Sequence, residues 1–464
     1  MSAATLRRPT LDAPVIQPIV PDPLLAVVGA DLPVPLVTGG ERRFVHLDYA
    51  ASAPALEAVV EAVQRHLPWY SSVHRGAGFT SSVSSEALEG ARHVIREFVG
   101  GRADDVVVFT RNTTDSLNLL ASVIPDDTTV LTLDIEHHAN LLPWRKAIVR
   151  HLPTPSRPEE IAGVFAAALA EVTTAHALIT VTGATNVTGE VLPIASIVEA
   201  ARRFGARVAV DAAQLAPHRA IDIEALGVDY VVFSGHKLYA PFGSGVLVGR
   251  RDWLDQAEPY LAGGGAVGTV SVQHAEWLPS PARHEGGSPN VLGAVAIAAA
   301  CRALIDAGPE AIAAHDHALL AHLDRRLAEL DGVEPVTVFG LDGDRIGIAT
   351  LRLPRPAAEV AAALSAEHGI GTRDGAFCAH PLMRRLFDHA PDGPVPNALR
   401  VSFGVGSTIA DLDHFVDSLA TVLRDGPQWD YAVQHGRLVP TPTRGRAPHR
   451  SDASGRGANG LSRR

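Results

Sequence analysis

Only two lysines occur among the 40 basic residues of this 464-residue chain, Lys146 and Lys237; every other cation is an arginine. Arginine stays protonated and is a poor nucleophile, whereas a lysine amine can lose its proton and condense with an aldehyde. A lysine kept against such a bias is a candidate for carbonyl chemistry, and Lys237 has the better surroundings. Residues 229–233 read as a buried strand running into Ser234-Gly235-His236-Lys237, followed by Pro241-Phe242-Gly243-Ser244-Gly245. The carboxyl ends of strands are where α/β sheets bind ligands, and small flanking residues let a flat molecule approach the backbone. A second strand, Val208-Ala209-Val210, ends in Asp211-Ala212-Ala213-Gln214. A carboxylate there can pair with a protonated ring nitrogen or simply cap the next helix.

Three further strand ends carry polar groups. Thr110-Arg111-Asn112-Thr113-Thr114-Asp115 opens a helix, and its free N–H groups, helix dipole and two hydroxyls suit a phosphate, although a plain helix cap uses the same residues. Glu136-His137-His138-Ala139-Asn140 offers an imidazole able to stack on a planar ring. Its spacing is not that of His-Glu-x-x-His, so no metal site is expected. Asn186, in Thr185-Asn186-Val187-Thr188-Gly189, can hydrogen-bond a ring hydroxyl or form a turn. Late in the chain Cys378 follows Arg373-Asp374-Gly375-Ala376-Phe377. It can serve as a thiolate nucleophile or as a small buried hydrophobe.

The elements that must hold these groups alternate. Strands are expected near 106–109, 129–133, 177–181, 207–211, 229–234 and 245–248, and helices near 56–67, 85–99, 114–123, 158–172 and 194–204. That rhythm predicts an α/β fold with a large, mostly parallel sheet covered on both faces. After about residue 300 it changes to a long helical stretch at 303–329. Strands at 336–339, 346–353 and 399–403 and helices at 357–367 and 409–423 follow, which reads as a smaller α+β domain. The expected division is a proline-rich arm at 1–40, a large domain at 41–300, a small domain at 301–430 and a basic, disordered tail at 431–464. Gly263 to Gly268 matches G-x-G-x-x-G, but no clear strand precedes it and Thr269-Val270-Ser271-Val272 reads as extended, so a nicotinamide site is rejected. His315, His317 and His322 are expected on a solvated helix face.

Composition removes other classes. With 46% hydrophobic and 20% charged residues and a net charge of -11, the chain has no overall basic field to draw it onto nucleic acid or an anionic membrane. Its longest apolar run, 291–301, is far short of the about 20 residues that span a bilayer. The start lacks the pattern of a secretory signal, and two cysteines exclude a disulfide framework, so a cytoplasmic protein is expected.

In this order the motifs resemble the class V aminotransferase family of pyridoxal-phosphate enzymes, within it the cysteine desulfurase and selenocysteine lyase branch. The resemblance spans residues 44–425. It is carried by His46-Leu47-Asp48-Tyr49-Ala50-Ala51-Ser52-Ala53, Val73-His74-Arg75-Gly76, the 110–115 turn, residues 136–140 with Pro143-Trp144, and Ser234-Gly235-His236-Lys237-Leu238-Tyr239. It implies a fold-type I dimer in which Lys237 is the Schiff-base lysine, Asp211 the pyridine-nitrogen partner and His137 the stacking imidazole. Thr113, Thr114, Ser234 and His236 match phosphate-site positions, and Asn186 and Gln214 flank the ring hydroxyl. Ser288, in Glu285-Gly286-Gly287-Ser288-Pro289-Asn290, matches the segment that reaches the neighbouring subunit's phosphate. Arg373 and Arg400 match substrate-carboxylate arginines, and Cys378 the cysteine that takes sulfur from L-cysteine, leaving alanine; a sulfur-acceptor protein would then follow. The chain departs from that pattern in having Ala376-Phe377 where two histidines precede the cysteine, and in lacking an asparagine before Thr408. A class V aminotransferase or other carbon-sulfur lyase that leaves Cys378 unused, and a cofactor-free binding or scaffold relative, remain open alternatives.

Overall fold

A run of β-branched residues with apolar side chains on both faces can only be a strand if both faces are covered. In the computed structural model, which describes residues 23–74 and 76–441, seven such strands form the central sheet. The first 22 residues of the proline-rich arm, Arg75 of the Val73-His74-Arg75-Gly76 motif and the basic end from residue 442 lie outside the described residues. The strands are β1 (Val106–Thr110), β2 (Thr128–Leu133), β3 (Ile148–Leu152), β4 (His176–Thr182), β5 (Arg207–Asp211), β6 (Tyr230–Ser234) and β7 (Gly245–Gly249), in spatial order β1-β7-β6-β5-β4-β2-β3. All pairs are parallel except the two that β7 makes. The carboxyl ends of β1, β2, β4, β5 and β6 therefore open at one edge, where the crossover segments begin. β3 is not among the expected strands: its Ile148-Val149-Arg150-His151-Leu152 sequence is that of a half-exposed edge, with too little apolar character to be read as buried.

The chain crosses between two apolar cores at Gly308. The expected long helix at 303–329 is in fact two, Val291–Ala307 and Pro309–Leu327, bent by 83° at a glycine with φ +85 followed by a proline that cannot continue the first helix. The first helix fills the core beneath the large sheet, and the second contributes Leu319, Leu320, Leu323 and Leu327 to the other core. That helix is packed on more than one side, so His315 is buried and not solvated, while His322 pairs with Asp413 and His317 with Asp344.

The second core lies under an antiparallel sheet of β8 (Glu334–Pro335), β9 (Ile348–Arg352), β10 (Arg373–Gly375) and β11 (Ala398–Ser402), in order β8-β9-β11-β10. A strand over 336–339 does not form. The Val338 and Phe339 N–H groups donate instead to the Glu190 carboxylate at 2.7 and 2.6 Å. Val45 and Leu47 belong to this core although they lie far from it in sequence, because Val45–His46 pairs in parallel with Ile370–Gly371. The stretch expected to be disordered from residue 431 begins with a hairpin, Asp430–Gln434 against Arg437–Thr441. Its anchor is the Glu367 carboxylate, which accepts from the Gln428 and Trp429 N–H groups and from the Tyr431 hydroxyl.

Candidate active site

Strand register brings the groups together. Gly245 of β7 stands opposite both Thr110 of β1 and Ser234 of β6, so the turn after β1 and the turn after β6 meet across a single residue. A Cβ at Gly245 would lie 2.5 Å from the Asn112 Cα, which only glycine avoids. Asn112 caps the Thr113–Val123 helix by accepting from the Asp115 N–H at 3.0 Å. The Thr113 N–H donates to Ser234 Oγ at 2.7 Å, and the two hydroxyls lie 2.6 Å apart. A helix N-terminus, two threonines and a serine thus converge on one anion-sized spot.

Beside it is a cavity of about 280 Å³. Lys237 rises from the turn after β6, and Asp211 sits buried at the end of β5, its Oδ1 accepting from the Ala213 N–H at 3.0 Å. Gln214 donates through Nε2 to the Ala50 carbonyl at 2.8 Å. His137 caps the short His138–Leu141 helix, with Nδ1 accepting from the Ala139 N–H, and His236 shares a hydrogen bond with Ser52 Oγ at 2.9 Å. The opposite wall is Asn186 together with Arg373, Phe377, Cys378 and Arg400. Arg400 is buried on β11 and pairs with Asp48 at 3.1 Å, while Arg373 on β10 reaches the other Asp48 oxygen at 4.0 Å. Cys378 is exposed and free, whereas Cys301 is fully buried.

Burial sets the charge states. It pushes the Lys237 ammonium down to about 8, Arg400 adding to the fall and Asp211 opposing it. His137 is lowered to about 3 by burial and by Lys237, so its ring is neutral at pH 7. Burial, then Lys237, lowers His236 as well. Asp211 is raised by burial. Beneath the floor Glu136 is pushed up to about 8, chiefly by burial; its oxygens accept from Asn140 Nδ2 at 2.8 Å and the Thr182 N–H at 3.0 Å. The arrangement offers an amine that is easily deprotonated, a buried acid that feels the charge of that amine, and two guanidinium groups lining the same cavity as a thiol.

Of the residues singled out in the sequence, Lys237, Cys378, Thr113, Thr114, His137, Asn186, Asp211, Gln214, Ser234, His236, Arg373 and Arg400 all line this cavity. Ser288 does not. It lines a separate cavity of about 890 Å³ with Tyr70 and Arg92, held there by Glu285, which accepts from Arg92 and from the Phe109 N–H at 2.6 Å. Sequence reasoning gave no role to Asp48, Asn112 or Phe377. All three stand in motifs named above, but no letter in those motifs says that Asp48 will pair with Arg400, that Asn112 will be the helix cap or that Phe377 will meet a guanidinium.

The family pattern described as Aminotransferase class-V matches residues 45–415. The chain belongs to the class V aminotransferase family. Among curated relatives of this class V chain, a probable cysteine desulfurase of Halalkalibacterium halodurans is 34% identical over 389 residues, 81% of this chain and 92% of the relative. Another of Aeropyrum pernix is 35% identical over 401 residues, 82% of this chain and 95% of the relative. A probable cysteine desulfurase of Mycolicibacterium paratuberculosis is 32% identical over 87% of this chain, which spans only 58% of that longer protein. Among solved structures, the apo cysteine desulfurase of Thermococcus onnurineus superposes with a TM-score of 0.74 at 28% identity, covering 82% of this chain and 95% of that one. A cysteine desulfurase of Escherichia coli in an S-sulfonic acid form gives 0.70 at 30% identity, covering 82% and 94%. The architecture is that of fold-type I pyridoxal-phosphate enzymes.

Proposed function

We propose that this class V enzyme removes sulfur from L-cysteine with pyridoxal 5'-phosphate, yielding alanine and a persulfide on Cys378. The observation that carries the reading is that Lys237 and Cys378 line one cavity together with Arg373 and Arg400. The residues fit the cofactor: hydroxyls and N–H groups at the Thr113–Val123 helix start for its phosphate, Asp211 for its ring nitrogen, His137 for its face and Lys237 for its aldehyde. Bound there, pyridoxal phosphate would supply the electron sink that weakens bonds around the substrate's α-carbon.

Arg400 and Arg373 bind and orient the substrate carboxylate, with Asp48 keeping the two guanidinium groups together. Lys237, whose amine is half deprotonated near pH 8, takes the α-proton and holds it at Nζ. The Cys378 thiolate forms a bond to the substrate sulfur as the carbon-sulfur bond breaks; the carbon keeps the electron pair, takes a proton and leaves as alanine. A free thiol of this kind persists in a reducing compartment, which supports the cytoplasm as the location. Ser288 and the exposed Tyr70 line the cavity of about 890 Å³, and we assign that face to a second copy of the chain.

The test is incubation of the cofactor-loaded protein with L-cysteine. Alanine and protein-bound persulfide should appear in equal amounts in the first turnover, and absence of alanine would sink the proposal. One observation favours a second reading, a class V enzyme that leaves Cys378 unused: Ala376-Phe377 puts no imidazole immediately before the cysteine. In that case alanine forms at the same rate in Cys378→Ala.

A further inference from the structure

Phe377 and Cys378 are consecutive residues with φ of 53 and 54, left-handed backbone that a bulky side chain adopts only when its surroundings hold it there. Three contacts do so. Asn186 Nδ2 donates to the Phe377 carbonyl at 2.7 Å, the His138 N–H donates to the Cys378 carbonyl at 2.9 Å, and the buried Phe377 ring faces the Arg400 guanidinium with the Arg400 Cζ 4.9 Å from its centroid. Arg400 Nη1 in turn donates to the Asn186 carbonyl at 2.9 Å. Arg400, Asn186 and Phe377 therefore close a triangle from three separate segments, and Cys378 is attached to one corner. Among the described residues the buried Arg400 Nε has no hydrogen-bond partner, which leaves that guanidinium one donor short.

We propose that Phe377 is a positioning residue that couples carboxylate capture by Arg400 to the placement of the Cys378 thiol. The ring is the only part of the triangle that can transmit movement by contact with the guanidinium face, since the other two links run through the Asn186 backbone and amide. A carboxylate that draws Arg400 toward itself changes how the guanidinium covers the ring, and Phe377 moves Cys378 with it because the two share a peptide bond. This rests on the reading above, in which Arg400 holds the substrate carboxylate and Cys378 receives the sulfur. It adds a specificity consequence: an amino acid with a free α-carboxylate prepares the thiol, whereas an amine without one does not.

The experiment follows alkylation of Cys378 by iodoacetamide, located by mass spectrometry, with buried Cys301 as the internal control thiol. It is run on the cofactor-loaded protein with and without L-alanine, or with ethylamine, which has no carboxylate. In wild type, L-alanine should change the Cys378 alkylation rate several-fold and ethylamine should not. Phe377→Leu, which keeps apolar volume but has no ring face, should lose that response and lower kcat for persulfide formation about tenfold with KM for L-cysteine little changed. Phe377→Tyr should restore both. A wild-type rate indifferent to L-alanine, or a Phe377→Leu protein with the full response, overturns the proposal. If L-alanine changes alkylation but L-cysteine gives no alanine, the coupling stands and the desulfuration reading falls.

Discussion

The two walls of the cavity are built by different means. The floor that carries Thr113, His137, Asp211, Ser234 and Lys237 is a row of strand ends placed by sheet register, with the Thr113, His137, Asp211 and Ser234 side chains held by hydrogen bonds such as Thr113 N–H to Ser234. The facing wall is loop and edge: Cys378 in left-handed backbone, Arg373 on a three-residue strand, and Arg400 held through Asp48 and Asn186. A floor of that kind suits a cofactor that must stay put. A wall assembled from a second sheet suits a substrate that comes and goes, because its parts can shift without disturbing the floor.

The sharpest way to break this division is to remove the floor's amine. Lys237→Ala should abolish the visible absorbance of the cofactor-loaded protein and lower alanine formation by about 10⁴-fold, read by spectrum and product assay. If the walls are separable, Cys378→Ser should abolish the protein persulfide and cut alanine formation by roughly 10³-fold while leaving that absorbance intact. Loss of cofactor in this variant would show that the wall supports the floor. Next is pH. The Lys237 amine is neutral above its value of about 8 and charged below it, so the rate of cofactor capture by apoprotein should rise about tenfold per pH unit up to about 8 and level off beyond. An ordinary lysine would still be climbing near pH 10. The smallest effect belongs to Ser234→Ala, which removes one hydroxyl from the anion site and should weaken cofactor affinity by about fivefold, measured by equilibrium titration, with KM for L-cysteine unchanged.

The same division decides what could be read from the chain. Each floor residue lies at the end of a β-branched run or within four residues of it, so strand and site are signalled by neighbouring letters, as in Val208-Ala209-Val210-Asp211. The wall's contacts join residues hundreds of positions apart: Asp48 with Arg400, Asn186 with Phe377. No local pattern announces such pairs. The resemblance supplied Arg400 and Cys378 but not Phe377, because a phenylalanine where histidine was expected gives no hint of the guanidinium it will meet. Ser288 lies outside this cavity, on a segment whose Glu285 is bound by Arg92 in an ion pair across 193 residues, so its expected place beside a second copy's phosphate is a matter of assembly and not of this chain's own walls. The hairpin at 430–441 was hidden by the arginine-, glycine- and proline-rich composition of the stretch that follows it, and becomes intelligible once Glu367 is seen to accept from the Gln428 and Trp429 N–H groups just before it and from the Tyr431 hydroxyl within it.

The parallel pairing of Val45–His46 with Ile370–Gly371 bears on how the protein is made. During synthesis the early segment leaves the ribosome more than 300 residues before its partner strand, so the half that grips substrate has to wait for nearly the entire chain. The strand-end half can assemble meanwhile from sequence-adjacent pieces. A nascent protein stalled short of residue 370 would therefore own a finished cofactor cradle and nothing to close it, with Val45 and Leu47 left as bait for chaperones.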